Sequence, residues 1–190
     1  MDYKKKLQIY LEREVEVIKN LNLEDINRVM NVLEEARLTN RKIYICGNGG
    51  SAATASHYTG DFNKGINENL KVKYDFECLN DNIPAMMAIA NDISYNEIFR
   101  VLLKNKMKAG DIFIGLSGSG NSQNIVNAME YAREIGGTTV AIVGYDGGKL
   151  KQIADYYIHV EINDMQISED IHMILDHLMM QTLCNCSKDR

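Results

Sequence analysis

With 190 residues and 45% hydrophobic content, the chain can close one domain around a sizeable core but is short for two. Its formal net charge of −5 leaves no general basic field for nucleic acid or an anionic membrane, so any affinity for phosphate must be local. No run approaches 18 apolar residues, and the N-terminal lysines are interleaved with apolar positions, so neither a transmembrane helix nor a signal peptide is expected.

From Tyr3 to Asn20, Leu7, Leu11, Val15 and Ile18 recur at helical spacing, which predicts an amphipathic helix suited to a partner subunit. Asn22 caps a second helix, with Ile26, Met30, Leu33 and Arg37 along one face and Val29 and Leu38 filling the apolar side, ending near Thr39–Asn40. Ile43 to Phe62 then reads as a strand, a glycine turn (Gly47, Asn48, Gly49, Gly50, Ser51) and an alanine-rich helix. A polar link at 64–69 leads to a strand over 74–79. Pro84 marks the first turn of a helix ending in Asn91–Asp92, and Ser94 caps another over 95–106. The apolar run 111–117 is a strand of the kind buried on both faces of a parallel sheet. It enters Gly118-Ser119-Gly120-Asn121-Ser122 and a helix to Ile135. Strands over 138–143 and 156–162 follow, separated by the turn 144–149, and a helix over 168–184 closes the chain with Ile171, Ile174 or Leu175, Leu178 and Thr182 as its buried stripe. The fold expected is α/β, a three-layer sandwich around a mostly parallel sheet with Rossmann-like topology. It comprises N-terminal helices (1–40), an α/β core (41–163) and a C-terminal helix (168–185) in one domain. Cys46, Cys78, Cys184 and Cys186 form no CxxC pair or disulfide framework, which fits a reduced cytoplasm.

Both glycine turns follow strands, so both belong at the carboxyl edge of the sheet, where open α/β sheets bind ligands. Unpaired N–H groups at the helix start after Gly50 suit an anion or a developing oxyanion. The second turn adds the hydroxyls of Ser117, Ser119 and Ser122, which suit a phosphate monoester; its place between a buried strand and a helix favours that reading over a flexible serine–glycine loop. Gly47 to Ala52 also satisfies GxGxxA, but a dinucleotide site needs an acidic residue ending the second strand, and Glu68 falls in the polar link. His57 and Asp61, four apart, could be a surface pair on their helix. Glu169, His172 and His177 on the last helix supply a second cluster of the same proton-transfer and metal-ligating types. Glu169 and His177 lie about 12 Å apart in rise and roughly 80° in rotation on a continuous helix. They meet one small ligand only by leaning together, if Glu169 precedes the helix, or from different subunits. His159 reads as structural, and the ten methionines as core or interface filler.

The motifs CGNGGSAATASH, ANDISYNEIF, LSGSGNSQNIVNAMEYAREIG, VGYDGGKL and SEDIHMILDHL, in this order and spacing, resemble the sugar isomerase (SIS) domain family over nearly the whole chain, most closely its phosphoheptose isomerases. The resemblance implies conversion of sedoheptulose 7-phosphate to a heptose 7-phosphate through an enediol, in a homotetramer with active sites between subunits. It implies that Asn48, Gly49, Gly50 and Ser51 line the sugar, with Asn91 and Asp92 from the following loop, and that Ser117, Gly118, Ser119 and Ser122 cradle the phosphate. His57 matches a family metal ligand. His177 matches the histidine proposed as acid and ligand. Asp61 stands where the family usually has a glutamate, ligand and proposed base, and Glu169 where it has glutamine. Asp for Glu withdraws a carboxylate by one methylene, and a misplacement of about 1 Å can cost on the order of a hundredfold in rate. Glu for Gln adds a negative charge, so His57, Asp61, Glu169 and His177 would form a tighter site for one zinc or other divalent cation. Non-catalytic regulators of the same fold that associate with the initiator DnaA lack the carboxylate at 61 and the histidine at 177. Their retention favours an enzyme that binds a sugar phosphate, with no nucleic acid or membrane partner.

Overall fold

The computed structural model describes residues 1–188, apart from the side chains of Asn69 and residues 186–188. Helices α1 (Lys4–Lys19) and α2 (Leu23–Leu38) precede the alternating core. That core runs β1 (Ile43–Cys46), α3 (Gly50–Gly60), β2 (Phe76–Cys78), α4 (Ile83–Asp92), α5 (Ile98–Lys104), β3 (Ile112–Ser117), α6 (Gln123–Glu134), β4 (Thr138–Val143), α7 (Gly148–Ile153) and β5 (Tyr156–His159), and α8 (Met165–Lys188) ends it. Local chemistry sets several boundaries. The Asn22 side chain accepts from the N–H groups of Glu24 and Asp25 at the start of α2, and Asn82 accepts from Ala85 N–H where Pro84 occupies the first turn of α4.

All five strands are parallel, in the order β2-β1-β3-β4-β5. Strand residues alternate between two cores. Ile43, Ile45, Ile112, Ile114, Leu116 and Ile142 face α2, α3 and α8. Tyr44, Cys46, Phe113, Ala141 and Val143 face α4 to α7. That period-2 division between two apolar layers explains why β3 is buried at all six positions. The strand order reverses direction between β1 and β3, and such a switch point opens a crevice at the carboxyl ends of the strands. The two glycine turns leave from those two ends.

Three expectations need correction. The segment 61–69 is wound into a π-helical turn (Asp61–Gly65) and a 3-10 turn (Ile66–Asn69), with Phe62, Ile66 and Asn67 buried. Asn67 explains the winding, because its side chain bonds both the N–H and the carbonyl of Tyr74. On α8 the buried stripe is Ile167, Ile171, Leu175 and Met179, while Leu178 and Thr182 are exposed. On α2 the face rotates toward Val29 and Ala36, leaving Leu38 exposed. The predicted stripe of α1 forms as a helix face but is exposed at Leu7, Leu11, Val15 and Ile18. Within the chain, α1 is tied to α8 by the Tyr10 hydroxyl on Asp170, and to the residue just before α8 by an ion pair from Arg13 to Asp164 at 2.9 Å. Cys46 and Cys78 are buried thiols on the neighbouring strands β1 and β2, and Cys186 lies outside the described side chains.

Candidate active site at the carboxyl edge of the sheet

The first turn is held by Asn80, whose amide donates to the Gly47 carbonyl (2.9 Å) and whose oxygen accepts from Gly47 N–H (3.1 Å). Gly49, at φ 56°, caps α3 without a side chain, a backbone that L-residues rarely adopt. Asn48 and Asn124 form a reciprocal amide pair, both bonds 2.9 Å, and the Tyr95 hydroxyl donates to the same Asn48 oxygen at 2.9 Å. The turn after β1 is thereby locked to the start of α6.

In the second turn Ser117 Oγ accepts from Gly120 N–H (3.1 Å) and lies 3.2 Å from Ser122 Oγ. Ser119 Oγ accepts from Asn121 N–H. No side chain caps α6, so its first N–H groups remain available to an anion. Asn91 and Asp92 sit in the exposed last turn of α4, bonded to each other at 2.8 Å rather than to either glycine turn.

Helices α3 and α8 run side by side in the same direction. A Cβ placed on Gly50 would meet the Glu169 carboxylate, and one on Gly65 would meet Met180. Between those levels His57 Nε2 and His177 Nε2 lie 3.1 Å apart, with ring planes at 73°. Asp61 Oδ2 is 3.7 Å from His57 Nε2 and 3.9 Å from His177 Nε2. Asp61 begins the π-helical turn, a widening often found at functional sites. Asp176 Oδ2 is 4.0 Å from His57 Nε2, and the four donor atoms lie within 4.8 Å of one another. Donors on one tetrahedral zinc, with bonds of about 2.0–2.1 Å, stand about 3.4 Å apart, so these residues fit a divalent cation. The two histidine rings are about half exposed, so one side of the group is open.

The structure therefore brings together His57, Asp61 and His177. It places Glu169 inside α8 at the level of the first glycine turn, outside this four-residue group. Asp176 was not singled out from the sequence. Its signal was an acid at position i+4 from His172 and i−3 from Met179, within the true buried stripe, and the rotated assignment of that stripe concealed it. Burial pushes the Asp176 carboxyl up to about 8, with the negative charge of Asp61 adding to the shift. His172 is fully buried one turn earlier and held down at about 4 by desolvation, which the Val143 backbone only partly offsets. His159 bonds Lys151 and the Tyr145 carbonyl, a structural role at the end of β5.

Comparison with known proteins agrees with this architecture. The SIS domain family profile matches residues 3–144. The phosphoheptose isomerase of Aliarcobacter butzleri is 32% identical over 169 residues, covering 85% of this chain and 85% of its own length. That of Helicobacter pylori is 32% identical over 183 residues, covering 93% and 87%. Among solved structures, the phosphoheptose isomerase of Neisseria gonorrhoeae superposes with a TM-score of 0.88 at 24% identity, over 96% of this chain and 98% of that one. The switch-point crevice, the paired glycine turns and these likenesses agree, and the chain belongs to the SIS domain family, in its phosphoheptose isomerase branch.

Proposed function

We propose that this chain is a phosphosugar aldose–ketose isomerase that converts sedoheptulose 7-phosphate to a heptose 7-phosphate through an enediol. The observation that carries the reading is a meeting of two chemistries at one sheet edge. A hydroxyl-lined helix start suited to a phosphate monoester is locked by the Asn48–Asn124 pair to a turn beside paired imidazoles and carboxylates. The names of the relatives, phosphoheptose isomerases at 32% identity over most of the chain, support the same reaction class.

In this reading Ser117, Gly118, Ser119 and Ser122 hold the phosphate, and that anchor fixes the far end of the sugar at the first turn. Asn48, Gly49, Gly50 and Ser51 line the reacting end, joined by Asn91 and Asp92. One carboxylate, Asp61 or Glu169, removes the proton from the carbon beside the carbonyl, and His177 delivers a proton to the oxygen or the neighbouring carbon. N–H groups at the start of α3 stabilise the oxyanion that develops. A divalent cation such as zinc, held by His57, Asp61 and His177, would supply Lewis-acid polarisation of the sugar oxygens. The exposed stripe of α1, with Ile83 and Met87 exposed on α4, supports assembly into a homotetramer with sites between subunits. Among the described residues no helix is long and apolar enough to cross a membrane.

The test is proton exchange. The protein, with and without zinc, is incubated in deuterated water with sedoheptulose 7-phosphate and a panel of other ketose phosphates, and C1 and C2 are followed by NMR. Deuterium entering sedoheptulose 7-phosphate is the expected result. No incorporation into any sugar by folded, zinc-supplied protein would overturn the enzymatic reading and favour a regulatory one.

A further inference from the structure

Tyr95 reverses the usual arrangement of a tyrosine. The residue is 57% exposed, yet its hydroxyl donates to Oδ1 of the half-buried Asn48 at 2.9 Å. Tyrosines more often bury the apolar ring and leave the polar tip to water. The exposed ring stands on a firm mount. Tyr95 opens the short turn Tyr95–Glu97, and Asn127 on α6 donates to the Asn96 carbonyl at 3.0 Å and to the Glu97 carboxylate at 2.8 Å. The next two residues, Ile98 and Phe99, are buried.

Donor and acceptor counting fixes the polarity of this group. A reciprocal amide pair looks the same when both side chains turn over, so Asn48 and Asn124 alone do not settle which end of each is oxygen. Ile125 N–H breaks the symmetry. Besides the Ser122 carbonyl it reaches Asn124 Oδ1 at 3.0 Å, and an N–H can only donate. The Asn124 oxygen is thereby held where it accepts from Ile125 N–H and Asn48 Nδ2, and the Asn48 oxygen where it accepts from Asn124 Nδ2 and Tyr95. Both acceptor positions of Asn48 Oδ1 are then filled. Tyr95 has given its only proton and keeps acceptor capacity on its oxygen, while Asn48 Nδ2 retains a second N–H. The group therefore offers a ligand one acceptor, on Tyr95, and one donor, on Asn48.

An acceptor is of no use to a phosphate dianion, which brings no proton, but it suits a hydroxyl. Its place in the fold agrees. Asn48 belongs to the first glycine turn, and Asn124 is the second residue of α6, whose start follows the serine-lined turn. Building on the isomerase reading, we propose that Tyr95 is a specificity-determining residue whose hydroxyl oxygen accepts a hydrogen bond from a chain hydroxyl of the sugar phosphate, between the phosphate and the reacting carbons. Its proton meanwhile holds the Asn48 amide in place.

The probe for this contact is the polyol phosphate made by borohydride reduction of sedoheptulose 7-phosphate. It keeps the chain hydroxyls and cannot isomerise, and it is used beside versions lacking the hydroxyl at C3, C4 or C5. Dissociation constants are measured by calorimetry on full-length wild type and Tyr95→Phe, with inorganic phosphate as the control. The variant keeps the exposed ring and leaves Asn48 bonded to Asn124, so it should melt with wild type. Tyr95→Phe should bind the parent polyol about five- to tenfold more weakly than wild type and bind phosphate within about twofold of it. One deoxy probe should lose a similar factor on wild type and nothing further on Tyr95→Phe, because probe and variant then remove the two halves of one contact. Unchanged affinity for the parent polyol in Tyr95→Phe overturns the proposal. So do losses that add in full for every deoxy probe, or a wild type that binds the polyol no tighter than phosphate. Deuterium entering sugar phosphates alongside any of those results leaves the isomerase reading standing without the Tyr95 contact. The predicted binding pattern without any deuterium incorporation sustains the contact and sinks the isomerase reading.

Discussion

Gly50→Ala separates the placement of Glu169 from the stability of the fold. A methyl at residue 50 would stand 2.8 Å from Glu169 Cδ and 2.9 Å from Oε1, and closer still to Oε2. Ordinary contacts begin near 3.5 Å, so the carboxylate must retreat by about 1 Å. It can, because it is the far end of a flexible side chain. The backbone at Gly50 is helical, and alanine is favoured over glycine there by up to about 1 kcal/mol. Stability in urea should therefore stay level or rise slightly. With Glu169 as the base, activity should fall, because moving a reacting group by about 1 Å costs on the order of a hundredfold, or roughly 2.7 kcal/mol of transition-state stabilisation. The assay is kcat/KM for sugar phosphate isomerisation in Gly50→Ala, Glu169→Ala and the double variant. If the methyl acts by displacing Glu169, the double variant should be no slower than Glu169→Ala within about twofold. A folded Gly50→Ala variant with near-wild-type kcat/KM would refute placing the Glu169 carboxylate at the reacting carbons. A full additional loss in the double variant would show that the methyl blocks the sugar itself.

Further expectations concern the turns and the interior. Gly120 sits at φ 65°, and a Cβ there would lie 2.5 Å from the Gly147 carbonyl carbon and 3.0 Å from Gly148 N. Those are backbone atoms that cannot swing aside, so Gly120→Ala should cost more than about 2 kcal/mol in urea unfolding, strain and clash together. Asn48→Ala removes both bonds of the Asn48–Asn124 pair and leaves the Asn124 amide, 1% exposed, without its partner; a loss of about 2 kcal/mol is expected. The folded-state pKa of His172, about 4, lies below its usual value of 6.5, so the unfolded chain binds more protons between those pH values. His172 therefore contributes stability that is full above pH 6.5 and falls by up to ~3 kcal/mol as pH drops to 4. The acid limb of the stability profile should be shallower in His172→Leu than in wild type, and parallel limbs would sink that assignment.

The layers of this protein followed from local pattern alone. Apolar runs bounded by glycine turns marked β1, β3 and β4, and capping by Asn22 and the Pro84 turn placed α2 and α4, because strand burial and helix capping depend on residues a few positions apart. The sequence also marked the two turns, His57, Asp61 and His177, since glycine conformation and paired imidazole and carboxylate chemistry are properties of the residues themselves. Only the tertiary structure decided which of these groups meet. Helix rotation on α8 is set by packing against the sheet and α3, and a turn of roughly 100° per residue moves Leu178 to solvent and Asp176 into the interior. The winding of 61–69 depended on Asn67 reaching Tyr74, a bond between segments. The eight-residue spacing of Glu169 and His177 on α8 already carried their separation, but the placement of Glu169 beside Gly50 and away from His57 depended on α3 and α8 running in the same direction, side by side. Such distances arise from how two helices lie against one another, and residue spacing within either helix does not contain them.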